Sequence, residues 1–140
     1  MFLGIDTSTM ALSLGLAQGG NVVAGLSLGG KPPPGENVAL FVKELLEKQG
    51  LDWSDIQGVG YVAGPGSFTG LRVGLAMIKG LGLVQGTRVV PLCSLEVIAR
   101  QYAYLGVDLL VLMDAYREEV FWGVYRWKGA DFCEGGMGIV

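Results

Sequence analysis

The stretch from Val59 to Val84 limits the fold more than any other part of the sequence. Val59-Gly60-Tyr61-Val62-Ala63 has the length and β-branched content of a buried strand. Gly64-Pro65-Gly66 then turns the chain, because glycine reaches backbone angles that a Cβ forbids. Ser67 stands where a helix N-cap belongs, and a helix is predicted from there to about Val84. Strand, tight turn and helix in that order make an α/β corner. Exposed amides at such a corner attract anions. Gly64, Gly66, Ser67, Thr69 and Gly70 are therefore candidates either for a nucleotide contact or for a purely structural turn. The spacing is neither Walker A, which ends in Gly-Lys-Ser/Thr, nor Gly-x-Gly-x-x-Gly.

The flanking sequence supplies the rest of a layered fold. Residues 2–8 read as a short apolar strand ending in Asp6-Thr7-Ser8-Thr9. Residues 11–17 and 22–28 follow as two more strands joined at Gly19-Gly20-Asn21. Gly29 to Gly35, with three consecutive prolines, breaks the pattern. A helix is expected from about Glu36 to Gln49, closed by Gly50. After the central corner, Arg88–Cys93 is a strand, and Ser94 is expected to cap a helix to about Tyr104. The order β-β-β-α-β-α-β-α matches one lobe of the actin and sugar-kinase superfamily, a ribonuclease H-like α/β architecture. It predicts a mixed five-stranded sheet, with strands 1, 4 and 5 parallel, strands 2 and 3 antiparallel beside them, and helices flanking. Asp108–Tyr116 and Glu119–Trp127 form a hairpin that opens a second lobe. Residues 1–105 are thus expected to make a first lobe and 106–140 the start of a truncated second one. The hairpin's apolar faces must pack back, find a partner or aggregate.

Composition narrows the chemistry. Half of the 140 residues are hydrophobic, 24 are glycine and 16% are charged, which suits a densely packed α/β protein. The net charge is −3 and no Lys/Arg cluster occurs, so direct binding of a nucleic-acid backbone by this chain alone is not expected. Cys93 and Cys133 are read as buried-type thiols of a reducing compartment. Asp6 interrupts the apolar N-terminus and Lys79 the longest helical apolar run, so a soluble cytoplasmic protein with no membrane partner is expected. With no histidine in the sequence, neither a Ser-His-Asp system nor a histidine-bearing zinc site can be built, and peptidase chemistry has nothing to rest on.

The string Gly64-Pro65-Gly66-Ser67-Phe68-Thr69-Gly70-Leu71-Arg72-Val73-Gly74 closely resembles the signature of the TsaB (YeaZ) family. Gly4-Ile5-Asp6-Thr7-Ser8-Thr9, Lys79-Gly80-Leu81, Ser94-Leu95-Glu96 and Met113–Phe121 match that family too, and in its order. The resemblance implies the same actin-like fold and a partner role in making threonylcarbamoyladenosine in tRNA. It implies binding to a TsaD-like catalytic homologue or to a second copy, alongside a TsaE-like ATPase. Nucleotide would sit at a subunit interface, and this chain would carry no cofactor of its own. The chemistry would then belong to the partner. The runner-up is a small actin-like ATPase or carbamoyl transferase acting through Asp6, and a third reading is a truncated paralogue that only homodimerises.

Two sets of residues follow. Asp6, Thr7 and Ser8 occupy the phosphate-contacting strand end of active superfamily members, although Thr and Ser also cap such turns without ligand. Where those enzymes carry Asp and a glycine cluster in a second phosphate loop, this chain has Asp114-Ala115-Tyr116-Arg117-Glu118-Glu119, whose bulk and charge oppose phosphate. By resemblance, the partner or dimer interface falls on the two main helices, at Glu36, Leu40, Phe41, Leu71, Arg72, Leu75 and Lys79. Arg72 and Lys79, seven apart, share a face. Many family members read His-Ser-Glu where the first of these helices begins, and here only Glu36 remains.

Overall fold

The computed structural model describes residues 1–30, 37–128 and 131–140. Strands β1 (Phe2–Asp6), β2 (Ala11–Gln18) and β3 (Asn21–Gly29) lead to helix α1 (Val38–Lys48). A 3-10 turn (Trp53–Asp55), β4 (Gly58–Gly64), α2 (Phe68–Gln85), β5 (Arg88–Cys93) and α3 (Ser94–Gln101) follow. The first sheet has the order β3-β2-β1-β4-β5. β1 is antiparallel to β2 and parallel to β4, and β4 is parallel to β5, as the element order predicts.

The helix-forming pattern of α1 works as amphipathicity requires. Val38, Val42, Leu45 and Leu46 recur at helical spacing and are buried. They pack with Leu3, Ile5, Leu12, Leu14, Leu16 and Val59 from alternate positions of the sheet, and with Ile56 and Ile78. Gly50 ends α1 at φ 67°, its amide donating to the Glu47 carbonyl while Leu51 donates to Leu46, which is a Schellman close. On the opposite face of the sheet, Gly25, Gly15, Gly4 and Gly60 stand in register on four neighbouring strands. Phe2 and Val90 remain half exposed on that face.

A second antiparallel sheet contains β6 (Leu109–Tyr116), β7 (Glu119–Lys128) and β8 (Asp131–Ile139), in that order. The sequence predicts the first two as a hairpin; β8 is the addition. Its glycines conceal it, and they are explained across the strand: Gly138 and Gly136 lie against the Trp122 indole, where a Cβ at 138 would come within 3.0 Å of Nε1. The hairpin packs back on α3 through Val111 and Tyr125, which are buried with Leu95 and Ala99. Its other face keeps Leu110 and Leu112 exposed.

Two expectations are corrected. The strand at the N-terminus ends at Asp6, so Thr7 and Ser8 lie beyond it. The third helix ends at Gln101, with a separate 3-10 turn at Ala103–Leu105, and Ser94 does not cap it. Cys93 holds the N-cap position without a side-chain bond, because the Ser94 hydroxyl donates instead to the Pro65 carbonyl 29 residues away. The predicted breaker at residues 31–35 and Glu36 lie outside the described residues. No described helix is long and apolar enough to cross a membrane.

The β6–β7 turn holds Tyr116, Arg117 and Glu118 at φ 63°, 55° and 68°, left-handed values that an L side chain resists by about 1–2 kcal/mol each. Replacing Glu118 by glycine is expected to raise stability by about 1 kcal/mol. Chemical denaturation of the two proteins measures it, and an unchanged midpoint counts against strain in this turn.

Candidate functional site

The end of β1 and the start of α2 meet at the signature loop. Ser67 amide donates to the Ser8 carbonyl at 2.7 Å, and the Thr7 hydroxyl donates to the Gly70 carbonyl at 2.8 Å. Ser67 acts as the predicted N-cap: its Oγ accepts from the Gly70 amide at 3.3 Å. Asp6 Oδ1 accepts from both the amide and the hydroxyl of Ser8, at 2.8 and 2.7 Å. Ser94 joins α3 to the same corner through Pro65. Thr7, Ser8 and Ser94 are the buried polar side chains among the described residues, and all three belong to this junction.

Glycine is required here by contact. A Cβ on Gly66 would overlap the Ser8 carbonyl oxygen, and one on Gly70 the Thr7 carbonyl oxygen. At Gly74 a Cβ would lie 2.5 Å from Thr7 Oγ1. These three positions, four apart, lie flush against the end of β1 rather than against another helix. Gly64, at φ 125°, has Leu71 packed beside it. The close approach of Thr7 and Ser8 accounts for glycine at positions 66, 70 and 74.

The other candidates separate by exposure. Arg72, Leu75 and Lys79 face outward on α2, with Thr69 beside them, and Leu40 is exposed on α1. Leu71 and Phe41 are partly buried: Leu71 turns inward toward Gly64, and Phe41 packs at the edge of the main core. Glu36 lies outside the described residues. Phe68 was missed by the sequence reading; it is 74% exposed, with the Arg72 guanidinium 5.4 Å from its ring centroid. Its place in the first turn, one residue after the cap, points it away from the sheet. The outward stripe of α2 is thus Phe68, Thr69, Arg72, Leu75, Ala76 and Lys79.

Comparison with known proteins fits this geometry. The family described as "TsaD: tRNA N6-adenosine threonylcarbamoyltransferase" matches residues 35–134. The tRNA threonylcarbamoyladenosine biosynthesis protein TsaB of Escherichia coli is 32% identical over 127 residues, covering 89% of this chain and 54% of its own length. Its Haemophilus influenzae counterpart is 30% identical, covering 94% and 57%. The solved structure of YeaZ from Pseudomonas aeruginosa superposes with a TM-score of 0.88 at 26% identity, over 99% of this chain and 66% of that one. The chain belongs to the TsaB (YeaZ) family. It spans a little over half the length of these curated TsaB relatives. The actin-like, ribonuclease H-like fold expected from the element order is the fold of that family.

Within this TsaB-family chain the signature glycines make a direct prediction. Gly70→Ala is expected to cost about 3 kcal/mol, the upper end for overpacking, because the backbone of Thr7 must move. Gly80→Ala, where a Cβ meets nothing within 4 Å, is expected to stabilise α2 by about 1 kcal/mol. Thermal unfolding of both variants checks the contrast; similar effects at the two sites would contradict the clasp.

Proposed function

We propose that this chain is a non-catalytic subunit in the formation of N6-threonylcarbamoyladenosine in tRNA, binding a TsaD-like catalytic homologue through the outer faces of α1 and α2. The observation that carries this reading is the outward stripe of α2. Leu75 and Ala76 leave apolar surface in water between Arg72 and Lys79, and Phe68 extends it one turn before Arg72, on the helix that the family signature opens. Exposed apolar residues ringed by charge are the composition of a docking surface. For the non-catalytic half of the reading, the support is that the Thr7 hydroxyl is engaged with the Gly70 carbonyl and the Asp6 carboxylate with Ser8 beside it. In this account the threonylcarbamoyl transfer takes place on the partner, a TsaE-like ATPase acts with it, and this chain contributes binding energy and orientation.

The test is co-elution of this chain with a TsaD-family protein, followed by reconstituted tRNA modification with a TsaE-like ATPase and an activated threonylcarbamoyl donor. Leu75→Asp and Arg72→Glu should each weaken the complex by about tenfold or more, with the fold intact by circular dichroism. Asp6→Ala should lower thermal stability while leaving modification per folded complex within a few-fold of the parent. Outright loss of modification in a folded Asp6→Ala protein would instead assign the chemistry to this chain. A homodimer that shows no affinity for the TsaD-family protein would replace the proposal by self-association.

A further inference from the structure

β3 is an outer strand of the first sheet, and among the described residues nothing pairs with its far side. Every second residue of such a strand turns its amide and carbonyl outward, ready to pair. Edge strands are guarded against this by charge, by proline or by being short. The other three edge strands carry such guards. β5 has only six residues and contains Arg88 and Pro91, β6 contains Asp114, and β8 contains Asp131 and Glu134. β3 runs for nine residues, Asn21–Gly29, with neither a charge nor a proline. Val22 is 78% exposed and Val23 47%. Among the described strands β3 is the one bare edge.

A groove of about 520 Å3 lies beside this edge, between β3 and α1. Leu26 and Leu28 of the strand and Phe41 and Leu45 of the helix line it, together with Glu44 and Lys48. Lys43 and Glu47, on the same helix, pair with each other at 3.6 Å. Glu44 and Lys48 are exposed, opposite in sign and four apart, and they make no ion pair among the described residues. The groove extends from Val23 to Leu28 on the strand and from Phe41 to Gln49 on the helix, so Gly25 and Leu45 stand near the middle of each.

That arrangement is self-complementary. A twofold axis beside Gly25 sets β3 antiparallel to its own copy, with Gly25 opposite Gly25. The same axis brings Glu44 of one protomer toward Lys48 of the other, because the two residues flank the level of the axis. We propose that β3 is a self-pairing edge, at which two copies of this chain join their five-stranded sheets into one continuous sheet, with Glu44 and Lys48 pairing across the twofold. An isologous contact of this kind consumes the bare edge, so association stops at two copies. The inference stands apart from the reading of α2 as a partner surface. α2 packs on β4 and β5, away from β3, and its outward stripe stays free in the pair.

The experiment is sedimentation equilibrium of the full chain over a range of concentrations, with amide hydrogen exchange on the same samples. The parent should form a reversible dimer, and its β3 amides should exchange more slowly as concentration rises while those of β5 do not change. A Cβ at Gly25 meets only the Leu14 carbonyl oxygen, at an ordinary 3.6 Å, so a side chain is accommodated there within the protomer. Gly25→Lys sets like charges opposite each other across the axis and should weaken dimerisation about tenfold or more, with an unchanged circular dichroism spectrum. Gly25→Ala should dimerise as the parent does. Glu44→Lys and Lys48→Glu should each weaken the dimer about threefold, and the double exchange should restore it, which a merely structural role of either residue would not produce. A parent that stays monomeric, or that grows past the dimer, would overturn the proposal. So would a dimer that survives Gly25→Lys and is lost in Leu75→Asp, since self-association would then belong to α2.

Discussion

The fold depends on how closely the end of β1 approaches α2. The carbonyl oxygens of Thr7 and Ser8 lie where side chains at positions 70 and 66 would otherwise be, so only glycine is admitted there. That approach allows the Ser67 amide to reach Ser8 and the Thr7 hydroxyl to reach the Gly70 carbonyl. Ser94 then ties α3 to Pro65 of the same loop. One junction thereby fixes two parallel strands and two helices, and it buries its polar groups with their bonds made. A loop whose sequence suggests a cradle for phosphate also ties the end of β1 to α2.

The outer sides of the helices carry exposed apolar surface. α1 buries one stripe and turns Leu40, Lys43, Glu44 and Glu47 to water. α2 is apolar around most of its circumference, yet the sheet and α1 cover only part of it, so Phe68 and Leu75 stay exposed. A helix of that composition is stable only if its remaining face is covered for much of its life, or if the protein accepts the solubility cost. The partner-binding proposal draws its physical force from this imbalance.

Much of the first sheet was legible because its signals are local. Short runs bounded by turn residues marked the strands, Ser67 the start of α2, and Gly50 the end of α1. What escaped depends on contacts between distant residues. Ser94 reads as a cap until its hydroxyl finds Pro65, and β8 reads as a glycine-rich tail until Trp122 is laid across Gly136 and Gly138. The role of Gly70 and Gly74 was also hidden, since the residues they lie against, at the end of β1, are more than sixty positions away in sequence. Leu71 and Phe68 exchanged places for a similar reason: burial on α2 is decided by which turn meets Gly64, and composition does not report that.

Site-selective photo-crosslinking most directly separates a closed junction with an outward partner face from an open catalytic corner. A photoreactive residue at position 75 or 40, on the exposed sides of α2 and α1, is predicted to capture the TsaD-family protein in high yield. The same group at exposed position 22, on the edge strand, is predicted to capture little of that protein. Strong capture from position 22 with none from 75 and 40 would contradict the account.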